Sequence, residues 1–160
     1  MSVGRAVASD RQLARLLQIG VVLEEMVEAS AHHHTRQREA RLDAEVVDLL
    51  EEAAAESATH RERLEGLIAE LDAESVAYEE IETLVEAQYA AEDEFDDVLY
   101  DQLCNEETAY KFYDDLLAAL ADSESELSVD RDRVVETLEE IRAEEAEGVE
   151  EVADMMERRA

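Results

Sequence analysis

Four stretches of this chain place apolar residues on one face at about 100° per residue, and three of them carry a single Glu inside that face. In the first, Leu13, Leu17, Gly20, Val27 and Ala31 share a stripe with Glu24, and Glu28 falls on its edge. In the second, Val46, Leu49, Ala53, Leu64, Leu67 and Leu71 share a stripe with His60. The third sets Glu106 among Leu99, Gln102, Ala109, Tyr113, Leu117 and Leu120, and the fourth sets Glu145 among Val134, Leu138, Ile141, Val149, Val152 and Met156. A carboxylate in a core seam is expensive unless it is paired or binds a cation. The neighbouring Glu25, Glu107 and Glu144 project away from the stripes and are read as solvated.

Such stripes specify helices, and nothing in the chain opposes them. It has no Pro and only four Gly in 160 residues, enough for one domain with a real core, residues 1–160. The expected fold class is all-α: a four-helix bundle of ferritin-like topology. Residues 1–8 are expected to fray. Ser9 with Gln12 forms a capping box for a first helix reaching about Arg38. Asp43 caps a second helix reaching about Leu71, and Ser128 caps the last, which runs nearly to the end. The third helix is expected over roughly Glu92 to Ala121. Residues 73–91 form a long crossover with its own short helix, marked by Val76, Ile81, Leu84, Val85 and Tyr89.

The charge balance narrows the partners. There are 45 acidic against 14 basic residues, net −31, and Lys111 is the only Lys. Phosphate binding needs a basic face, so nucleic acid and anionic membrane are excluded as partners. Acid excess with almost no Lys resembles cytoplasmic proteins of extreme halophiles, where molar salt screens self-repulsion. No apolar run reaches the length of a membrane span, and Met1–Asp10 lacks a signal pattern, so a cytoplasmic location is expected. The single Cys104 excludes an intramolecular disulfide framework and a Cys₄ iron centre. Met155 and Met156 suit a core or a dimer interface, and a homodimer or other homo-oligomer is expected.

One metal-ligand residue per helix, each near mid-helix, points to a metal site inside the bundle. A binuclear carboxylate site takes one Glu from each of two helices and Glu-x-x-His from each of the other two. Glu24 and Glu106 meet the first requirement. Each Glu-x-x-His pair is half present: Ser57 stands three before His60, and Gly148 three after Glu145. Glu56, one turn before His60, and Glu28, one turn after Glu24, can substitute from the stripe edges. The candidate ligands are therefore Glu24, Glu28, Glu56, His60, Glu106 and Glu145, holding one or two ions of iron or manganese. Without Glu28 and Glu56, four ligands suit one metal better than two. Arg142 is placed to pair with a buried Glu on the last helix instead. His32, His33 and His34 fan out by about 100° each and cannot converge on one ion. Tyr89, Tyr100, Tyr110 and Tyr113 are read mostly as core, with Tyr110 and Tyr113 near Glu106.

The run Glu106-Glu107-Thr108-Ala109-Tyr110-Lys111-Phe112-Tyr113 resembles the rubrerythrin branch of the ferritin-like superfamily. So do Glu56 to Leu64, with Ser57 where a Glu is usual, and Glu139 to Gly148, with Gly148 where a His is usual. The resemblance covers about residues 10 to 157. It implies di-iron binding and oxygen or peroxide chemistry, with ferroxidase- or peroxidase-type turnover and a role in oxidative stress. The alternative is a metal-free helical bundle that keeps the fold as an interaction or stress-associated module.

Overall fold

The computed structural model describes residues 7–38, 43–75, 77–90, 98–123, 127 and 130–160, with the side chains of 36–38 and 86–90 outside the description. Five helices make up the fold: α1 Asp10–Arg38, α2 Ala44–Ala69, α3 Tyr78–Ala90, α4 Val98–Ala121 and α5 Arg131–Arg158. The chain is all-α, with no strand among the described residues.

The caps show why the helices begin where they do. The Gln12 N–H donates to Ser9 Oγ at 3.2 Å, while Gln12 Oε1 accepts from the Ala8 N–H at 2.7 Å. This closes the expected capping box one residue early. Asp43 accepts from the Val46 N–H at 3.1 Å. At α5 the cap is Asp130, which accepts from the Asp132 N–H at 3.0 Å. Ser128, Val76, the Tyr89 side chain and the expected helical start at Glu92 lie outside the described residues. Val7 is not frayed: it is 1% exposed, and its N–H donates to the Ala119 carbonyl at 3.2 Å.

Cross-helix contacts fix the directions. Asp72 N–H meets Asp10 at 3.2 Å, so α1 and α2 are antiparallel. Val7 lies by Ala119 and His34 by Asp101, so α1 and α4 are antiparallel too. Arg131 donates to the Ser123 carbonyl, and Arg142 to Asp114, at 2.5 and 2.7 Å, which makes α4 and α5 a hairpin. Arg159 reaches Asp43 and Arg133 reaches Glu70, pairing α5 with α2. Hence α2 and α4 run the same way, and the chain between them returns along the bundle. α3 lies within that return and rests on α1, burying Ile81 and Val85 but leaving Leu84 70% exposed.

The apolar core is in two parts. The larger joins Leu13, Leu17 and Val21 of α1 to Leu64 and Leu67 of α2, Phe112, Leu116 and Leu120 of α4, and Leu138 and Ile141 of α5. The smaller, at the other end, contains Ala31, Val46, Leu49, Leu50, Ala54, Val98, Val152 and Met155. Leu50 and Ala54 take inward positions on α2, and Ala53 is only half-buried. Between the two parts lies a layer of polar side chains.

Candidate metal centre

The polar layer is built from one turn of each long helix. Glu24, His60, Gln102, Glu106 and Glu145 are 0, 0, 0, 4 and 2% exposed. Donor atoms of Glu24, His60 and Glu145 lie within 4.8 Å of one another. Metal–ligand bonds are about 2.1 Å, so small side-chain shifts would bring three such atoms onto one cation.

His60 organises the layer. Its Nδ1 faces Glu24 Oε1 at 3.3 Å and Glu145 Oε1 at 3.1 Å, and its Nε2 lies 2.5 Å from Glu144 Oε2. A carboxylate on the outer nitrogen fixes the ring and directs the inner nitrogen to the centre, as partners of metal-bound histidines do. Burial alone would push the imidazole down, but the bonds and charges of Glu24, Glu144 and Glu56 outweigh it, and its pKa is raised. Without a cation, the ring therefore favours carrying both protons.

The carboxyl groups share the remaining protons. Burial first, then the charge of Glu24 and the hydrogen bond to Glu106, push Glu145 far up. Burial also raises Glu106, while its hydrogen bonds from Glu145 and Gln102 pull it back. Glu145 and Glu106 thus hold a proton as a hydrogen-bonded pair. Gln102 Nε2 donates to Glu106 Oε1 at 2.8 Å, and Tyr113 Oη donates to Glu24 Oε1 at 2.6 Å. Burial, then the charge of Glu24, raises Tyr113 well above an ordinary phenol, keeping it a donor. Oε2 of Glu24 is buried without a hydrogen-bond partner.

Two glycines make room for these contacts. A Cβ at Gly20 would sit 3.0 Å from Leu64 Cδ1 and 3.5 Å from the Tyr113 hydroxyl. At Gly148 it would meet Glu106 Oε2 at 2.7 Å.

The other candidate ligands stand outside this group of three. Glu28 faces Arg61 at 3.4 Å and His32 at 3.9 Å. Glu56 is half-buried beside the layer, and burial, opposed by His60 and reinforced by Glu106, Glu144 and Glu24, raises it to about 7. Arg142 does not pair with Glu145; it is drawn to Asp114 on the surface. His34, 1% exposed, bonds Asp101 at 2.8 Å, and the exposed His32 points elsewhere, so the three histidines do not converge. Tyr100 and Tyr110 are exposed rather than core.

Glu144 and Glu25 are not merely solvated. Glu144 holds His60, and Glu25 is 4% exposed, accepting from the Tyr78 hydroxyl at 2.8 Å. Arg61 stacks 4.1 Å over the Tyr78 ring and lies 3.7 Å from Glu25. Burial raises Glu25, against the Tyr78 bond and the Arg61 charge. Each of these glutamates sits one position from a stripe residue, and its long side chain reaches back from the edge. Gln102 was visible as an amide one turn before Glu106 on the stripe; its role as donor needed the coordinates.

Comparison of the chain with protein-family models, with curated proteins and with solved structures returns no match. No helix among the described residues is long and apolar enough to cross a membrane.

Proposed function

We propose that this chain is a metal-binding bundle of the ferritin-like, rubrerythrin-like kind, with iron or manganese held by Glu24, His60 and Glu145 and with Glu106 beside them. The observation that carries the reading is that buried group of three, together with the unpartnered Oε2 of Glu24. An oxygen-rich donor set with one imidazole suits Fe(II) and Mn(II). The parallel run of α2 and α4, joined by a long return containing α3, supports the ferritin-like topology.

Iron in such a site would supply electrons to oxygen or peroxide. The chain's own residues would do the rest. Glu144 orients His60, the Tyr113 hydroxyl holds Glu24, and the apolar clusters above and below exclude bulk water. The acid-rich surface with one Lys fits a cell interior of molar salt.

Charge balance sharpens the reading. In the metal-free layer, neighbouring carboxylates favour the doubly protonated His60, and burial favours a proton on the Glu106–Glu145 pair. A dication that takes both groups as ligands displaces about two protons, leaving the charge of the layer unchanged. The test is calorimetric titration of Mn(II) or Fe(II) in molar KCl, at neutral pH, in two buffers of different ionisation heat. Saturable binding with about two protons released is expected, and Glu145→Gln should weaken it by tenfold or more.

A second reading has its own observation. Within the layer, only Glu24 Oε2 and Gln102 Oε1 lack hydrogen-bond partners, so protons alone nearly satisfy it. A metal-free interaction or stress-associated module would be built this way. Absence of both binding and proton release in the titration would establish it.

A further inference from the structure

We infer that the bundle holds one cation rather than two, and that Gln102, Glu106 and Gly148 together fill the place of a second. This rests on the metal reading above and concerns how many ions the layer takes.

A second cation needs anionic or imidazole donors on the far side of the shared carboxylates. Ser57 is 4% exposed on α2, where it offers only a neutral hydroxyl, and the carboxylate beside it, Glu56, is half-buried and stands outside the group of three. Gly148 offers no side chain at all. Its glycine is not explained by backbone conformation, because no glycine among the described residues has positive φ. Glycine is a poorer mid-helix residue than alanine; the α2 glycine Gly66 has open space around it, whereas Gly148 faces a carboxylate.

Sterics tie Gly148 to the pose of Glu106. An ideal Cβ at 148 would lie 2.7 Å from Glu106 Oε2 and 2.9 Å from its Cδ, closer than real Cβ atoms approach. The Glu106 carboxylate therefore occupies the volume that a side chain on α5 would take. A ligand at position 148 would require the end of the Glu106 side chain to swing out of its present pose, away from Gln102.

The chemistry around Glu106 points the same way. Gln102 Nε2 donates to Glu106 Oε1 at 2.8 Å from one turn earlier on α4. An amide N–H presents partial positive charge to the carboxylate, as a second cation would, but is fixed and neutral overall. Gln102 is 0% exposed, so this donor is packed within the layer, with its Oε1 unpartnered. Glu106 is thus held by Gln102 on one oxygen and lies against Gly148 with the other, beside the group formed by Glu24, His60 and Glu145.

The test counts ions on the full chain. Mn(II) is titrated in molar KCl, which suppresses loose binding to the acidic surface, with a His60→Ala control to subtract what remains. The expected result is one ion per chain lost in the control, with an uncoupled six-line manganese resonance. Two ions, or a spin-coupled pair spectrum, would overturn the inference while leaving the metal reading intact. No ion at all would overturn both.

Gly148→Ala tests the steric half. Alanine is the better helix former, yet it should force Glu106 aside. Manganese affinity should fall about tenfold, as for other residues that position ligands, and the unfolding midpoint should not rise. Unchanged affinity with a higher midpoint would show that Gly148 does not position Glu106. Stoichiometry of the wild type decides the main claim even if this variant folds poorly.

Discussion

The two ends of the bundle differ more than their similar helices suggest. Twenty-two buried apolar residues among those described form one cluster, which includes α3 and Val7, lies mainly on one side of the polar layer and passes it at Ala29. On the other side, eight do so. The larger end can sustain a fold by apolar burial, at about 1.5–3 kcal/mol for each large side chain. The smaller end is cut off from it by carboxyl groups and an imidazole. A layer that separates two cores also weakens their cooperation, unless something ties the four helices together there. A cation bound by α1, α2 and α5 would be such a tie, so metal would matter most to the smaller end.

The largest expected effect tests this asymmetry directly. Leu116 and Leu50 are both 0% exposed, one in each cluster. Leu116→Ala should cost about 3–5 kcal/mol, because a cavity in the larger core cannot collapse. Leu50→Ala should cost about 2 kcal/mol, since the smaller end can open locally instead of keeping the void. Denaturant unfolding gives both values, and amide exchange should show the α2 start and α5 end opening first. Equal costs with equal protection at both ends would mean one cooperative core, and the separation would be lost.

A smaller effect sharpens the role of the layer through pH. Glu106, Glu145 and Glu56 have folded pKa values raised above the unfolded one, Glu56 to about 7, and His60 is raised as well. Each then binds more protons folded than unfolded, so its contribution is full below the unfolded pKa and is lost as pH rises through the folded one. For Glu56 that window is from about 4.5 to about 7. Metal-free protein in molar KCl should therefore melt lower at pH 8 than at pH 5, by roughly 2–4 °C for each kcal/mol lost. Glu56→Gln should flatten the part of the slope below about pH 7. Metal-loaded protein should show the opposite trend in the stabilisation gained, because ligands must lose protons to bind. A metal-free midpoint that rose from pH 5 to pH 8 would contradict the protonated layer.

Periodicity made much of this layer legible. A helical period fixes which face a residue takes, and Glu24, His60, Glu106 and Glu145 are all buried at one level as their stripes required. The all-α class followed from the same signal. What the sequence hid depended on side-chain reach and on which helices become neighbours. Glu144 lies beside the stripe, yet its carboxylate reaches His60. Tyr78 belongs to the crossover and meets Glu25 only because α3 lies on α1. A shift of one residue rotates a side chain by about 100°, which separates Ala54 in the smaller core from half-buried Ala53. Tyr100 and Tyr110 face outward on α4, 60 and 39% exposed.

The smallest expected effect contrasts the buried layer with the surface around it. Sequence proximity makes Arg142 a natural counter-charge for Glu145, three residues further along α5. The helix places it otherwise: Arg142 donates to Asp114 at 2.7 Å, with side chains 33 and 50% exposed. Exposed pairs of this kind contribute about 0.2–1 kcal/mol, and molar salt screens them further. Arg142→Ala should therefore change stability by less than about 0.5 kcal/mol in molar KCl. It should leave metal affinity and proton release unchanged, because Glu145 faces His60 at 3.1 Å and not this guanidinium. Unfolding and titration of the variant beside wild type measure both quantities. A marked loss of affinity, or a cost of several kcal/mol, would mean that α5 is rotated from the position described, bringing Arg142 inward and taking Glu145 out of the layer.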